Sequence, residues 1–390
     1  MLYEQFIELP PSGLVFFGAG EAARTGELVH GVGASRTFVV CDPGITKAGL
    51  LEPVLTSLEG EQLSAEVFDQ VTPNPSAADI EAGSEALRGY SLTDTAVVAL
   101  GGGSSLDSAK GIALHAANPG PVEGLHFALD QERPGLPVVA VPTTAGTGSE
   151  TNYFGVITDS VKERKFYIGH PSVRPRASIL DPLLTAGLPS GPTAATGMDA
   201  LVHSLEALMS RNANPYADGL ALQVIRMVGR WLPVVLVDGA DLEARAHMLL
   251  ASHMAGRAFS SGTGLGLCHG FAHSISARTH AAHGVALTVM LPHVLRFNLP
   301  VCHEKLAWVA EIMGDGNPAG SEKAAVSAIV GIEEFARRVI RERSLTDLGV
   351  TKDMIPSLAQ NIIRDPVLGN TPRMPGESEV REILQNALSP

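Results

Sequence analysis

The stretch TAVVALGGGSSLDSAK, residues 95–110, joins a run of apolar residues to a glycine loop and the start of a helical segment. A continuous apolar run of this length is typical of a strand buried on both faces of a parallel sheet. Similar runs, separated by segments with helical spacing, occur at residues 13–18, 37–42, 64–69 and 136–144. This alternation predicts a doubly wound α/β sheet with helices on both faces.

The second half of the chain has a different pattern. From SGPTAATGMDALVHSLEALMS, residues 190–210, onward, segments rich in Ala, Leu and Met carry apolar residues at i, i+3 and i+4. Pro182, Pro189 and Pro192 interrupt both periodicities, and Pro192 suits the start of a helix. We predict an α/β domain over residues 1–185 and an all-α domain over residues 186–390.

Composition and charge exclude several classes of protein. The 390 residues carry a net charge of −13, with 28 Lys and Arg against 41 Asp and Glu, so nucleic acid is not an expected partner. The longest apolar runs are far shorter than the roughly 18 residues that span a bilayer, and the first residues lack a signal-peptide pattern. The cysteines, Cys41, Cys268 and Cys302, show no C-x-x-C spacing. A cytoplasmic protein is therefore expected.

Two glycine loops compete for the phosphates of a dinucleotide. The loop Gly18-Ala-Gly20 follows the first strand, and Asp42 ends the next strand at the spacing of a ribose-binding acid in a Rossmann-like domain. However, Glu21 would place a carboxylate near the incoming pyrophosphate. A structural turn at residues 18–20 is therefore the alternative.

The second glycine loop, Gly101-Gly102-Gly103-Ser104, is the better phosphate cradle. Three glycines let backbone amides approach an anion, and Ser104 is expected to cap the helix that follows. Asp107 in the first helical turn either stabilises the helix dipole or contacts the cofactor. A third loop, residues 141–150, brings Thr143 and Thr144 to another strand end, where ligands of such sheets bind.

Histidine spacing gives the clearest chemical signal. Five of the 13 histidines fall within residues 269–293. Asp199 and His203 stand at i and i+4, and His269 and His273 repeat that spacing, so each pair shares one helix face. Together with His283, these carboxylate and imidazole groups predict a site for a divalent metal ion.

These segments together resemble the iron-containing, or group III, alcohol dehydrogenases, which share a fold with glycerol dehydrogenase and dehydroquinate synthase. The resemblance extends over nearly the whole chain. Its most specific segments are GGGSSLDSAK at 101–110, PTTAGTGSE at 142–150, ATGMDALVHSLEA at 195–207, GLGLCHGFAH at 264–273 and HGVAL at 283–287.

The resemblance implies a role for each candidate residue. The implied ligands of Fe²⁺, or alternatively Zn²⁺, are Asp199, His203, His269 and His283, with His273 beside them as a proton relay or a substrate contact. The implied NAD(H) contacts are Asp42, Asn74, Gly101, Gly102, Gly103, Ser104, Thr143, Thr144 and Lys165. Asp107 is also kept as a candidate contact of the cofactor. By family position, Phe154, Phe259 and Leu267 line a substrate cleft between the domains. Residues 18–20 then form a structural turn.

The implied activity is hydride transfer between NAD(H) and a small alcohol or aldehyde on the metal, in a homodimer or higher oligomer. Four positions depart from the family pattern and leave the polarity of the substrate pocket open: Ser261, Ser276, Ala282 and Leu287. An anionic substrate, such as a hydroxy acid, a phosphonate aldehyde or maleylacetate, is the alternative. A dehydroquinate synthase-like lyase is less favoured, because residues 151–158 and 259–267 contain no Lys or Arg.

Overall fold

A computed structural model describes residues 7, 9–159, 162–314 and 321–389. The chain divides into two compact units. The first is Pro11–Leu188, and the second runs from Pro189 onward and includes the few described residues before Pro11. The predicted boundary, between residues 185 and 186, lies at the end of the short 3₁₀ helix Pro182–Thr185, within the first unit.

The first unit contains a parallel sheet of six strands in the order β1-β8-β5-β4-β2-β3, and a separate antiparallel pair, β6 and β7. The strands are β1 Leu14–Phe17, β2 Arg36–Val40, β3 Ser64–Phe68, β4 Thr95–Gly101, β5 Val138–Pro142, β6 Phe154–Asp159, β7 Arg164–Gly169 and β8 Ala177–Leu180. The five predicted strands are confirmed. The sequence did not reveal β8, which has only four residues, or β6 and β7, whose runs of adjacent large apolar side chains are only two and three residues long.

Helices cover both faces of this sheet. They are α1 Thr25–Gly31, α2 Pro43–Lys47, α3 Glu52–Gly60, α4 Ala77–Tyr90 and α5 Gly103–Ala117. Successive residues of β4 belong to two different hydrophobic clusters, Val97 and Ala99 to one, Ala96 and Val98 to the other. Because side chains alternate along a strand, these clusters are two cores on opposite faces, and the doubly wound prediction is confirmed.

The loop at residues 18–20 is held by protein groups. Gly20 has a φ of 87°, which a glycine adopts without strain, and it precedes the 3₁₀ helix Glu21–Arg24. The amide of Ala22 donates a 3.1 Å hydrogen bond to the buried carboxylate of Asp181. A protein carboxylate thus already accepts from the start of this short helix, and the geometry is that of a structural turn.

The second unit is built from helices, and its described residues contain no strand, which agrees with the predicted all-α half. The helices are α6 Ser190–Met209, α7 Pro215–Val237, α8 Leu242–Ala258, α9 Leu267–Thr279, α10 His283–Ile312, α11 Glu322–Val339, α12 Ile355–Ile363 and α13 Glu377–Asn386. Helix α6 begins two residues before Pro192, which was expected to start it. Pro192 is tolerated in the first turn, where an amide hydrogen has no partner within the helix.

Two of these helices, α7 and α10, are long and apolar enough to cross a membrane by length and composition alone. Neither helix consists of one uninterrupted apolar run, so neither stands out in the sequence as a membrane span. Both helices pack against α6 within the helical unit. In α10, 61% of the most apolar window is buried there, against 39% in α7. Packing in the unit therefore accounts for most of the apolar window of α10.

Candidate active site

Helix α6 places three polar side chains on one face. Asp199, His203 and Glu206 stand at i, i+4 and i+7, and all three are buried. Helix α9 contributes His269, whose Nε2 lies 3.5 Å from Oδ1 of Asp199. The Nε2 of His203 lies 3.5 Å from the same oxygen. One donor atom from each of Asp199, His203 and His269 can thus be chosen so that all three lie within 4.8 Å of one another.

Two atoms at the centre of this cluster lack a hydrogen-bond partner among the described residues, Oδ1 of Asp199 and Nε2 of His269. Burying polar atoms without partners is unfavourable, and buried carboxylates and imidazoles commonly coordinate metals. Burial alone would raise the pKa of Asp199, but His203, His269 and His283 together hold it well below its usual range. An ionised carboxylate beside two imidazoles fits a divalent metal ion.

His283 and His273 adjoin this cluster. His283 is the first residue of α10, and its ring centroid lies 5.5 Å from that of His269. It stacks on His273, with centroids 5.4 Å apart and ring planes 12° from parallel. The structure thus brings the predicted relay residue and fourth ligand to the edge of the cluster. The three-donor group itself consists of Asp199, His203 and His269, so His283 as a ligand remains a prediction.

The structure adds two carboxylates that the sequence analysis missed. Glu206 accepts a 2.6 Å hydrogen bond from Nδ1 of His269, and Asp365 accepts a 2.9 Å bond from Nδ1 of His273. Glu206 could have been found, because it lies three residues after His203 on the same helix face. Asp365 gave no local signal, since it is 92 residues from its partner in sequence.

In the α/β unit, several candidate cofactor residues lie at or just after the carboxyl ends of β2, β4 and β5, namely Asp42, Gly101, Gly102, Gly103, Thr143 and Thr144. The amide of Thr143 donates a 2.9 Å bond to the carbonyl of Gly101, which joins two of these ends. A Cβ at Gly101 would meet Oγ of Ser105 at 2.5 Å, and one at Gly103 would meet Cγ2 of Thr147 at 2.6 Å. These glycines are therefore required by the packing of the loops themselves. A Cβ at Gly102 would likewise lie 3.2 Å from Cγ2 of Thr144.

The predicted cap at Ser104 is wrong. Helix α5 starts at Gly103, its N-cap residue is Gly102, and no side chain caps it. Ser104 lies inside the first turn, where its Oγ accepts a 3.4 Å bond from the amide of Asn74. The reason is that the helix already begins at Gly103, so Ser104 lies two residues past the N-cap position from which a serine side chain reaches the free amides.

Asp42 connects two strand ends. Its Oδ1 accepts a 2.8 Å bond from the amide of Gly44 and so caps α2, while its Oδ2 accepts a 3.2 Å bond from Oγ of Ser105 at the start of α5. The carboxylate is only partly buried. It is thus fixed at the edge of the sheet where the second strand ends, next to the glycine loop.

Lys165 and Asn74 form a further pair. Nζ of Lys165 donates 2.8 Å bonds to Oδ1 of Asn74 and to Oγ1 of Thr158. Asn74 has a φ of 55°, a left-handed conformation that asparagine tolerates well. Burial lowers the pKa of Lys165 to about 8, and the charge of Asp107 opposes that change.

Asp107 links helix α5 to the residues before and within β6. Its Oδ1 accepts a 2.5 Å bond from Oγ of Ser149, and its Oδ2 accepts a 2.9 Å bond from the amide of Val156. Nζ of Lys110 lies 3.2 Å from the same Oδ1. Both oxygens of Asp107 are therefore engaged, and this geometry supports a positioning role better than direct contact with a cofactor.

The three predicted substrate residues have different surroundings. Phe259 lies beside the group formed by Asp199, His203 and His269, with its ring centroid 4.8 Å from that of His203. Leu267 is the first residue of α9 and only 1% exposed, so in this structure it packs inside the helical unit. Phe154 is the half-buried first residue of β6 in the α/β unit.

Comparisons with known proteins agree with this architecture. Residues 12–182 match the model of iron-containing alcohol dehydrogenases, and residues 193–388 match the C-terminal model of the Fe-containing alcohol dehydrogenase family. An NAD-dependent methanol dehydrogenase of Bacillus methanolicus is 35% identical over 382 residues, which cover 97% of this chain and 99% of the relative. A 1,3-propanediol dehydrogenase of Citrobacter freundii is 37% identical over 390 residues, which cover 99% of this chain and 100% of the relative.

A solved structure of a 1,3-propanediol oxidoreductase superimposes with a TM-score of 0.93 at 35% identity, covering 98% of this chain and 100% of that chain. The parallel sheet followed by helices, together with the buried carboxylate–imidazole cluster, agrees with a metal-dependent dehydrogenase. The chain belongs to the iron-containing alcohol dehydrogenase family. It is an oxidoreductase of alcohols and aldehydes, and membership of this family indicates a nicotinamide cofactor and a divalent metal ion.

Proposed function

We propose that this enzyme interconverts small, neutral primary alcohols and their aldehydes, with NAD(H) as the hydride carrier and Fe²⁺ as the preferred metal ion. The observation that carries the proposal is the buried group of Asp199, His203 and His269, in which Oδ1 of Asp199 and Nε2 of His269 have no hydrogen-bond partner among the described residues. Zn²⁺ is the alternative ion, because the same donor types bind both metals.

The residues of the helical unit are proposed to bind and orient the substrate. When bound, the metal ion supplies Lewis-acid polarisation of the substrate oxygen. Asp199, His203, His269 and His283 hold it. His273, whose Nδ1 is held by Asp365, passes the proton between the alcohol oxygen and solvent. Phe259, which packs against His203, gives the metal cluster an apolar neighbour.

The residues of the α/β unit are proposed to bind NAD(H). The uncapped first turn of α5 offers backbone amides to the pyrophosphate, and Thr143, Thr144, Asn74 and Lys165 surround the same strand ends. Asp42 binds the adenosine ribose. Its carboxylate would repel a 2′-phosphate, so we expect NAD to be preferred to NADP.

A neutral substrate is favoured by the side chains at the family's substrate positions. Residues 151–158 and 259–267 contain no Lys or Arg to pair with an anionic group. Burying an unpaired carboxylate or phosphonate costs several kcal/mol, so small alcohols and aldehydes fit better. The relatives named for methanol and 1,3-propanediol are consistent with this substrate class.

The experiment is a substrate screen combined with metal analysis. The purified enzyme is loaded with Fe²⁺ or Zn²⁺ in turn, and NADH formation or consumption is followed with alcohols and aldehydes of one to five carbons. Anionic comparators, 4-hydroxybutyrate and phosphonoacetaldehyde, are run in parallel. A kcat/KM for an anionic compound far above that for the neutral ones would overturn the substrate proposal. Absence of net NADH turnover with every compound would overturn the dehydrogenase reaction itself.

We further propose that the enzyme works in the cytoplasm as a homodimer or larger homo-oligomer, with no membrane or nucleic-acid partner. All three cysteines are free and buried, which suits a reducing compartment. Light scattering of the purified protein measures its molar mass against 40.8 kDa for one chain. A monomer at micromolar concentration would contradict the oligomer.

A further inference from the structure

Glu206 contacts two different parts of α9 at once. Its Oε2 accepts a 2.8 Å bond from the amide of Gly266, and its Oε1 accepts a 2.6 Å bond from the amide of Cys268. The amide of His269 lies 3.4 Å from that Oε1. The same carboxylate accepts the 2.6 Å bond from Nδ1 of the His269 ring. The carboxylate of Glu206 thus binds both the backbone at the start of α9 and the side chain of His269.

These backbone contacts replace a cap that α9 lacks. The N-cap residue of α9 is Gly266, which has no side chain to accept from the first amides. The first amides of a helix have no partners within it, and the positive end of the helix dipole favours a carboxylate. Glu206, supplied by α6, provides both the acceptors and the charge. Cys268 and His269 are therefore fixed relative to the face that carries Asp199 and His203.

The ring contact determines which nitrogen of His269 faces the cluster. A carboxylate accepts hydrogen bonds, so Nδ1 of His269 carries the proton in this contact. In a neutral imidazole, Nε2 then presents its lone pair, and it is this atom that lies 3.5 Å from Oδ1 of Asp199. In that neutral form, Nε2 of His269 and Oδ1 of Asp199 are two facing acceptors without a hydrogen-bond partner among the described residues, and such a buried pair favours a cation between them.

We propose that Glu206 is a positioning residue that sets the metal affinity of the cluster, by holding the start of α9 and fixing the Nδ1–H tautomer of His269. The inference rests on the proposed metal site. Carboxylates behind metal-bound histidines orient the ring, and their loss typically weakens metal binding about 10-fold to 100-fold.

The test compares metal affinity with the stability of the metal-free protein. Zn²⁺ is the probe, because it does not oxidise during the titration, and its dissociation constant is measured by competition with a chromophoric chelator. We expect Glu206→Gln, which keeps the size of the side chain, to raise the Zn²⁺ dissociation constant about 10-fold to 100-fold. The matched control is Asp241→Asn, which likewise removes the charge of a carboxylate at the start of a helix, here α8. Oδ1 of Asp241 accepts a 2.9 Å bond from the amide of Ala244.

Comparison with this control separates positioning from general stability. The control is expected to leave the Zn²⁺ dissociation constant unchanged even if its thermal midpoint falls as much as that of Glu206→Gln. A Glu206→Gln protein that binds Zn²⁺ as tightly as the wild type, or no more weakly than the control, would overturn the inference. If the wild type itself takes up no stoichiometric Zn²⁺, the proposed metal site fails instead.

A measurement on the wild-type protein covers the case in which Glu206→Gln does not fold. Long-range ¹H–¹⁵N spectra of histidine-labelled, Zn²⁺-loaded enzyme report which ring nitrogen carries a proton. His269 is assigned as the signal missing from His269→Ala. We expect a protonated Nδ1 and a metal-bound Nε2. A protonated Nε2 with Nδ1 as the ligand would refute the role of Glu206.

Discussion

A Cβ atom built on Gly284 would lie 2.0 Å from the carbonyl oxygen of Ala195. The start of α10 therefore touches the backbone of α6 at a point where no side chain fits. Ala195 is one helical turn before Asp199, and Gly284 directly follows His283. This contact limits how closely His283, the first residue of α10, can approach Asp199 and His203 on α6.

Replacing Gly284 with Ala should push α10 away from α6. We expect the unfolding free energy to fall by about 1–3 kcal/mol, because overpacking of this kind forces backbone shifts. The His283 ring should move with the helix, so Zn²⁺ stoichiometry or affinity should fall as well. Chemical denaturation and chelator competition measure the two effects.

The control for this variant is Gly229→Ala. Gly229 lies inside α7, and a Cβ there would meet nothing within 4 Å. Alanine is the better helix former, so this change should stabilise the protein by about 0.5–1 kcal/mol and leave metal binding alone. Equal losses of stability in both variants would contradict the importance of the Gly284 contact.

Removing the His269 imidazole, a proposed metal ligand, should abolish activity without unfolding the protein. His269→Ala is expected to remain folded, to lose stoichiometric metal, and to lose activity by orders of magnitude, because Lewis-acid activation contributes several kcal/mol. Elemental analysis and steady-state kinetics measure this. Full activity in a metal-free variant would refute the assigned role of His269.

The charge of Asp42 should determine the choice of cofactor. Asp42→Gly is expected to narrow or reverse the preference for NAD over NADP, measured as the ratio of kcat/KM values. Asp42→Asn is the companion variant, because asparagine can still cap α2 while the charge is removed. A wild-type enzyme that uses NADP at least as well as NAD would show that the role given to Asp42 is wrong.

Lys165 should lose its proton near physiological pH. Burial lowers its pKa from 10.5 to about 8 in the folded protein. Between these values the unfolded chain binds more protons than the folded chain, so the contribution of Lys165 to stability rises with pH across this window. Below pH 8 the cost of burying the charged amine is present in full. The total change is at most about 3 kcal/mol.

The Lys165 titration can be observed directly by NMR of protein labelled at lysine Cε, with Lys165→Met to assign the signal. The wild-type unfolding free energy, relative to that of Lys165→Met, should rise from pH 8 to pH 10.5. A Lys165 signal that titrates above pH 10 would contradict this prediction.

Asp365 should affect turnover through His273. Asp365→Asn keeps an acceptor for the amide of Val367 but weakens the bond to Nδ1 of His273. We expect kcat to fall about tenfold, since His273 would lose the charged partner that orients it for proton transfer, while KM and metal content change little. A variant with normal kcat would exclude Asp365 from the proton path.

Local patterns in the sequence were sufficient for five of the eight strands and for the shared helix face of Asp199 and His203. The i, i+4 spacing of Asp199 and His203 determines their shared face once the segment is helical, and the apolar run before Gly101 predicts β4. Contacts between distant segments could not be derived in this way. The bond from His273 to Asp365 depends on how α9 meets the short helix that Asp365 starts.

The sequence also did not reveal why residues 101–103 are glycines. The close approach of a phosphate is one explanation, but Ser105 and Thr147 already leave no space for a side chain at Gly101 and Gly103. The predicted cap at Ser104 is wrong because a serine at the second helical position faces different neighbours from a serine at the N-cap. Such distinctions of one residue depend on tertiary packing.

The proposed metal donors come from separate helices, and one carboxylate holds both the His269 ring and the start of α9. Metal uptake is therefore expected to affect the lifetime of the protein as well as its turnover. A ligand that binds only the folded chain lowers the fraction open to proteases. Cells short of the metal should contain less of this protein, because copies that are synthesised without it are degraded before the supply recovers.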